Sequence, residues 1–191
     1  TPFIYQGQEI GMTNFDYTDI SQVDATDTIY LYNEKLAEGL SKTAALKVAT
    51  VNSRDHSRTP MQWDATENAG FTDGKPWLVI NPNYLEKNVA AAQTNPDSIL
   101  NLYKFLIQLR HEYQDISEGH ITFLFPEHPA VLAYERGEFL IVTNLSATPT
   151  TITFERPGHD YQDMVTQAIV PDLLELSLES WAYRIYKKIK E

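Results

Sequence analysis

The spacing of apolar positions changes twice along this chain. From Thr28 to Asn52 apolar residues recur at helical intervals, which predicts two helices, Ile29 to Leu40 and Thr43 to Val51, parted where Gly39-Leu40-Ser41 breaks the period. Ser41 is the expected cap of the second, because its hydroxyl can accept from a first-turn amide that has no partner within the helix. Ala44, Ala45, Leu46, Val48 and Ala49 give that helix a small, apolar surface able to pack closely. Residues 65 to 96 then show no period and are rich in Gly, Pro, Asn and Asp. A connection of that length is functional or packs on a scaffold. Trp63, Phe71, Trp77 and Tyr84 are its expected anchors, with stacking on a ligand ring as the alternative role. Helical spacing returns at Ile99, Leu102, Tyr103, Leu106, Leu109 and Tyr113, with Asn95 as cap and Pro96 at the first helical position.

From about Ser117 the period shortens. Ile121 to Phe125, Ala130 to Tyr134, Phe139 to Asn144, Thr150 to Phe154 and Trp181 to Ile185 are short β-branched or aromatic runs between turn residues, and Leu173 to Leu178 alternates. The expectation is five to seven antiparallel strands in a small β-sandwich, with Gly137-Glu138 as a hairpin turn. At the other end of the chain, Phe3-Ile4-Tyr5 has the composition of a buried strand that stops at Gln6-Gly7.

Composition narrows the function classes. The 191 residues carry 15 Lys and Arg against 26 Asp and Glu, a net charge of −11, which argues against partners presenting phosphate, whether nucleic acid or anionic membrane. No apolar run approaches membrane-spanning length and the first residues do not have the pattern of a leader. Zero cysteines remove disulfides, thiolate metal sites and cysteine nucleophiles, and fit a cytoplasmic protein. His111, His120, His128 and His159 are too scattered to suggest a metal site, so no metal is expected.

The densest chemistry lies in Ser53-Arg54-Asp55-His56-Ser57-Arg58-Thr59-Pro60-Met61-Gln62-Trp63-Asp64. Two guanidiniums, two carboxylates, an imidazole and an indole this close together are costly to bury unless they pair with one another or with a ligand. Arg54 and Arg58, four apart, are expected on one face of a helical turn that Pro60 stops. The two readings of this window are a polar ligand site and a surface turn with an internal Arg–Asp pair.

With its flanks the stretch resembles the bacterial α-glucosidases of the α-amylase superfamily, glycoside hydrolase family 13, and among them the oligo-1,6-glucosidases and dextran glucosidases. The matching segments are Thr1-Pro2-Phe3-Ile4-Tyr5-Gln6-Gly7-Gln8-Glu9-Ile10-Gly11-Met12-Thr13-Asn14, the arginine-rich window, Asn68-Ala69-Gly70-Phe71-Thr72, Pro76-Trp77-Leu78, Asn81-Pro82-Asn83-Tyr84 and Asn88-Val89. They follow the family's order and spacing over roughly the first 115 residues. The resemblance implies an α+β fragment: the C-terminal part of a (β/α)8 barrel (last strand, long loop insertion, last helix) over residues 1–116, then an antiparallel β-sandwich domain over 117–191. In such an enzyme the catalytic carboxylates precede Thr1, so no catalytic residue is assigned in this chain, and Glu9 is read as a structural carboxylate at the barrel rim.

What the resemblance assigns to this chain is substrate binding. Arg54 matches the arginine that reaches the glucose being transferred, and Arg58 supports it or lines the next subsite. Asp24 stands where the family commonly has a glutamate contacting sugar beyond the cleaved bond, a solvated loop aspartate being the other reading. Asp55 and His56 either join the site or pair within the loop. The implied activity is retaining hydrolysis of α-1,6 bonds at the non-reducing end of isomalto-oligosaccharides or dextran, with an α-glucan oligosaccharide as the partner and no obligatory cofactor. Trehalose-6-phosphate hydrolase is the alternative, and a non-catalytic carbohydrate-binding or structural β module is the alternative of another class. Without the rest of a barrel, residues 1 to about 95 are expected to be exposed or re-packed, and the arginine-rich stretch to be mobile or ordered only through contacts with another copy of the chain.

Overall fold

Helices α1 (Thr26–Ala37) and α2 (Lys42–Thr50) organise the first part of the chain. The computed structural model describes residues 2–155 and 159–189, so Thr1 of the first matching segment lies outside the described residues. α1 begins before the expected Ile29, while α2 starts as expected at the Ser41 cap, whose Oγ accepts from the Ala44 amide at 3.3 Å. The two helices close over Tyr17, Val23, Ala25, Tyr32, Ala45, Leu46 and Ala49. Burying one side chain such as Leu46 is worth about 1.5–3 kcal/mol, so this half of the chain has a core of its own.

Phe3-Ile4-Tyr5 forms no strand, contrary to its composition. Phe3 is 93% exposed, because a strand of this kind is defined by neighbours that pair with its backbone and cover its side chains. The irregular segment after Trp63 also differs from expectation. Trp63, Phe71 and Trp77 are at least half exposed or close to it, and side-chain amides do the pinning instead. Asn81 Nδ2 donates to the Thr13 and Asn14 carbonyls at 3.2 and 3.1 Å, and the fully buried Gln62 donates to the Lys87 carbonyl and to Asn83 Oδ1. Amides serve where no ladder exists, since each supplies both a donor and an acceptor. Gly70 closes one turn at φ 64°, and a Cβ there would lie 2.7 Å from the Asp64 carboxylate.

Asn88 caps the short α3 (Val89–Thr94), accepting from Ala91 N at 2.7 Å. The next helix, α4 (Ile99–Glu112), starts later than Pro96. Asn95 Oδ1 turns back to the Asp97 amide at 3.0 Å, and Ser98 Oγ accepts from Asn101 N at 3.2 Å, so serine caps the helix and asparagine makes the turn before it.

The chain divides into two compact units, Thr1–Leu106 and Ile107–Glu191, the division falling within α4. In the second, α5 (Gln114–Glu118) precedes β1 (Ile121–Leu124), β2 (Val131–Arg136), β3 (Phe139–Asn144), β4 (Thr150–Thr153), β5 (Tyr161–Asp163), β6 (Ile169–Val170), β7 (Glu175–Leu178) and β8 (Tyr183–Lys188). One sheet has the order β1-β2-β3-β8-β5-β6 and the other pairs β4 with β7, all antiparallel. Residues of both sheets, among them Val131, Leu140, Val142, Tyr186, Ile152, Leu176 and Leu178, share one core. β5 and β6 add to the strands expected and were hidden because runs of three and two residues are too short to show alternation.

Gly137-Glu138 makes the hairpin between β2 and β3, with Arg136 opposite Phe139 and Gly137 at φ 56°. A side chain at Gly137 would collide with Asp115, whose Oδ2 accepts from the Glu138 amide at 3.3 Å. The fully buried Asn144 is satisfied by the Thr148 and Glu179 carbonyls and the Ser146 amide, which fixes the turn between β3 and β4. Among the described residues no helix is long and apolar enough to cross a membrane.

Candidate functional site

The arginine-rich window begins where α2 ends. Ser53 caps a 3-10 turn, Arg54–Arg58, which Thr59 leaves at ψ 147° ahead of Pro60. A 3-10 turn has three residues per turn, so side chains four apart do not share a face. Arg54 and Arg58 therefore diverge, contrary to the expectation of a common face. The internal Arg–Asp pair is absent as well: Arg54 Nη2 donates instead to Asp27 Oδ2 at 2.6 Å, across from the first turn of α1.

Asp55 is fully buried and faces the other way. Its Oδ2 accepts from the Asp24 and Ala25 amides at 2.8 and 2.9 Å, satisfying the backbone just ahead of α1. Asp55 Oδ1 and the Tyr17 hydroxyl are buried without a hydrogen-bond partner. Burial first, and the negative charge of Asp55 second, push the Tyr17 phenol up to about 12. His56 accepts from the Phe15 amide at Nδ1, 3.2 Å, and donates from Nε2 to the Thr50 carbonyl at 2.7 Å. Ser53 Oγ receives a bond from the Thr28 hydroxyl at 2.9 Å, tying the start of the turn to α1 as well.

Of the residues singled out from the sequence, Arg54 has a defined partner, and Arg58 is exposed, its side chain making no hydrogen bond or ion pair to another described residue. Asp24 is exposed, and it is its backbone amide, rather than its carboxylate, that joins the arrangement. Asp27 is the residue that sequence reasoning missed. The bond from Arg54 is the main cause that holds the Asp27 carboxyl below its ordinary value, and the same bond raises Arg54. A signal existed, since residues 14–27 read as a loop carrying Asp16, Asp19, Asp24 and Asp27, and Asp27 closes this acidic loop at a helix start, where a carboxylate is favourable, but nothing in the sequence pairs it with a residue 27 positions on.

Glu9 sits in the short turn Gln8–Ile10, partly buried, with Oε2 unpartnered. A cavity of about 500 Å³ lies among Tyr5, Gln8, Met12, Asn52, His56 and Ser57. Neither Arg54 nor Asp24 lines it. Among the described residues no group of three or more His, Cys, Asp or Glu is placed to hold a metal ion. The chemistry on offer at Arg54 and Asp27 is a planar, charged donor beside a carboxylate acceptor, both side chains about half exposed.

The family profile described as "Alpha amylase, catalytic domain" matches residues 1–119 of this chain. The chain belongs to the α-amylase family. The probable oligo-1,6-glucosidase 2 of Bacillus subtilis (strain 168) is 46% identical over 151 residues, which cover 76% of this chain and 27% of that protein. Among solved structures, the trehalose-6-phosphate hydrolase of Bacillus licheniformis aligns at a TM-score of 0.90 with 31% identity, covering all of this chain and 36% of that one. The trehalulose synthase of Pseudomonas mesoacidophila MX-45 aligns at 0.87 with 35% identity, covering 99% of this chain and 36% of that one. The chain thus spans about a quarter to a third of the length of these α-amylase-family relatives. In fold it is a portion of the family's TIM-barrel catalytic domain, with an antiparallel β unit after it.

Proposed function

We propose that these residues form part of a retaining α-glucosidase that releases glucose from the non-reducing end of α-1,6-linked oligosaccharides, and that within it they bind substrate. The observation that carries the reading is the Arg54–Asp27 pair, an accessible guanidinium fork and carboxylate held 2.6 Å apart, the guanidinium coming from the arginine-rich window. A sugar hydroxyl both donates and accepts, so such a pair can engage neighbouring hydroxyls at once. The 46% identity to an oligo-1,6-glucosidase supports the linkage. Arg58 and Asp24, both exposed, are the further groups we assign to the sugar.

Retaining hydrolysis needs two carboxyl groups roughly 5 Å apart on opposite sides of the bond. We assign no residue of this chain to that pair. In this reading Phe3–Tyr5, which forms no strand in this structure, takes the place of the last barrel strand in the complete enzyme, residues 65–96 are the loop insertion and α4 the last barrel helix, with residues 1–116 belonging to the barrel and 117–191 to the β domain. We take the enzyme to be cytoplasmic, in keeping with the absence of cysteine from these 191 residues, and the 191-residue chain to self-associate through apolar residues such as Phe3.

A second reading, hydrolysis of trehalose 6-phosphate, is favoured by the unpaired Arg58 and by the 0.90 TM-score to such an enzyme. The acidic loop up to Asp27 opposes it, since phosphate would meet carboxylates there. Glucose release by the full-length enzyme separates them. Turnover of isomaltotriose with none of trehalose 6-phosphate supports the first reading, and the converse replaces it with the second.

A further inference from the structure

Three consecutive residues hold three separate points of the acidic loop. His56 receives the Phe15 amide at 3.2 Å, Asp55 the Asp24 and Ala25 amides at 2.8 and 2.9 Å, and Arg54 closes on Asp27 at 2.6 Å. The window therefore runs opposite to the loop, residue 56 meeting the loop's start and residue 54 its end. The grip is anchored on its far side too. Nε2 of His56 donates to the carbonyl of Thr50, the last residue of α2, which also accepts from the Ser53 amide at 3.0 Å. Both bonds are made together only by a neutral ring with its proton on Nε2. The ring also packs against Tyr17, with centroids 5.2 Å apart.

An ion pair as exposed as Arg54–Asp27 does not hold its own geometry, because ordering two side chains in water offsets most of the attraction. What is buried is its support: Asp55 is fully inaccessible, and its two bonds fix the backbone immediately before Asp27. We propose that His56 and Asp55 are positioning residues, which staple the loop from Phe15 to Ala25 so that Arg54 and Asp27 face substrate as a fixed pair. The proposal rests on the glycosidase reading above and adds to it the residues that set the site's shape. A displacement of about 1 Å in such a group can cost up to about a hundredfold in rate, so the staple is expected to register in catalysis without touching substrate.

The two bonds of His56 can be separated by substitution. The side-chain oxygen of asparagine falls where Nδ1 lies and keeps the Phe15 bond, whereas the longer glutamine places its amide where Nε2 lies and keeps the Thr50 bond. In the 191-residue chain, hydrogen exchange resolved at the Phe15 amide should show protection in wild type and His56→Asn, and its loss in His56→Gln and His56→Ala. In the full-length enzyme, kcat/KM for isomaltose should stay within about threefold of wild type in His56→Asn and fall about tenfold or more in His56→Gln. Asp55→Asn, which retains an acceptor, should likewise outperform Asp55→Ala. The opposite order, with His56→Gln like wild type and His56→Asn impaired, would show that the ring merely closes the end of α2, and the proposal fails. If wild-type enzyme does not hydrolyse isomaltose, the α-1,6-glucosidase reading fails instead. The Phe15 amide then still decides whether the staple exists.

Discussion

Arg54 donates to Asp27, 27 residues earlier in the chain, and not to the adjacent Asp55, which is buried and spent on backbone amides. This division of labour between two aspartates explains how a window so dense in charge is accommodated. One carboxylate satisfies buried N–H groups, and the other stays at the surface with the guanidinium, where neither charge is fully desolvated.

Asp55 should therefore matter for stability more than its neighbours. Asp55→Ala leaves two amides ahead of α1 without acceptors, at a cost of about 2–4 kcal/mol, whereas Asp55→Asn keeps an acceptor and should cost less. Urea unfolding of the 191-residue chain measures both. Equal effects of the two substitutions would show that the hydrogen bonds are not what the residue contributes.

Tyr17 carries a buried hydroxyl with no partner, so Tyr17→Phe should be neutral or stabilising by up to about 1 kcal/mol at pH 7. The folded protein holds this phenol up to about 12, above its unfolded value near 10, because burial and the Asp55 charge disfavour the phenolate. Ionisation of this phenol therefore leaves stability unchanged below about pH 10 and lowers it as the pH rises towards 12, where the unfolded chain ionises first. A spectrophotometric titration in which Tyr17→Phe removes the phenol that ionises near 12 checks the assignment; removal of one that ionises near 10 contradicts it.

Asp27 has the opposite sign. Its folded value lies below the ordinary one, chiefly through the hydrogen bond from Arg54, so the pair is intact above the usual aspartate range and weakens as pH falls through the lowered value. Carboxyl-resolved NMR should find Asp27 titrating below a free aspartate, and Arg54→Ala should return it to the ordinary range. A titration unmoved by Arg54→Ala would mean that the pair does not persist in solution.

The 191-residue chain alone should release nothing from an aryl α-glucoside. We assign none of its acidic residues to the catalytic pair, and the buried, backbone-bonded Asp55 is not placed to attack a sugar. Turnover that vanished on mutating Glu9 or Asp55 would overturn this expectation.

Local signals in the sequence carried much of the fold. Ser41 marked the start of α2, and Gly137-Glu138 marked the β2–β3 hairpin, because caps and tight turns are decided by a few adjacent residues. Features set by distant partners were not legible. Phe3–Tyr5 has the makeup of a strand, yet strandhood depends on neighbours that its own residues do not specify. Asn95 was read as a cap when Ser98 does that work, two capping residues within one turn being indistinguishable by type. The aromatic anchors were expected from size alone, whereas Gln62, Asn81 and Asn88 hold the irregular segment through bonds whose partners sequence spacing does not reveal. At the site, Arg54 was recognisable from its window. Its partner Asp27 was not, since Asp24 and Asp27 lie in one acidic loop and only the fold decides which carboxylate turns towards the arginine.

The most direct measurement is kcat/KM for isomaltotriose in the full-length enzyme with Arg54→Ala. Loss of the guanidinium beside the reacting sugar should cost roughly 2–4 kcal/mol of transition-state stabilisation, about a thirtyfold to a thousandfold fall, with Arg58→Ala costing less. A folded Arg54→Ala enzyme with unchanged kcat/KM would contradict the assignment and leave the Arg54–Asp27 pair as a feature of the surface alone.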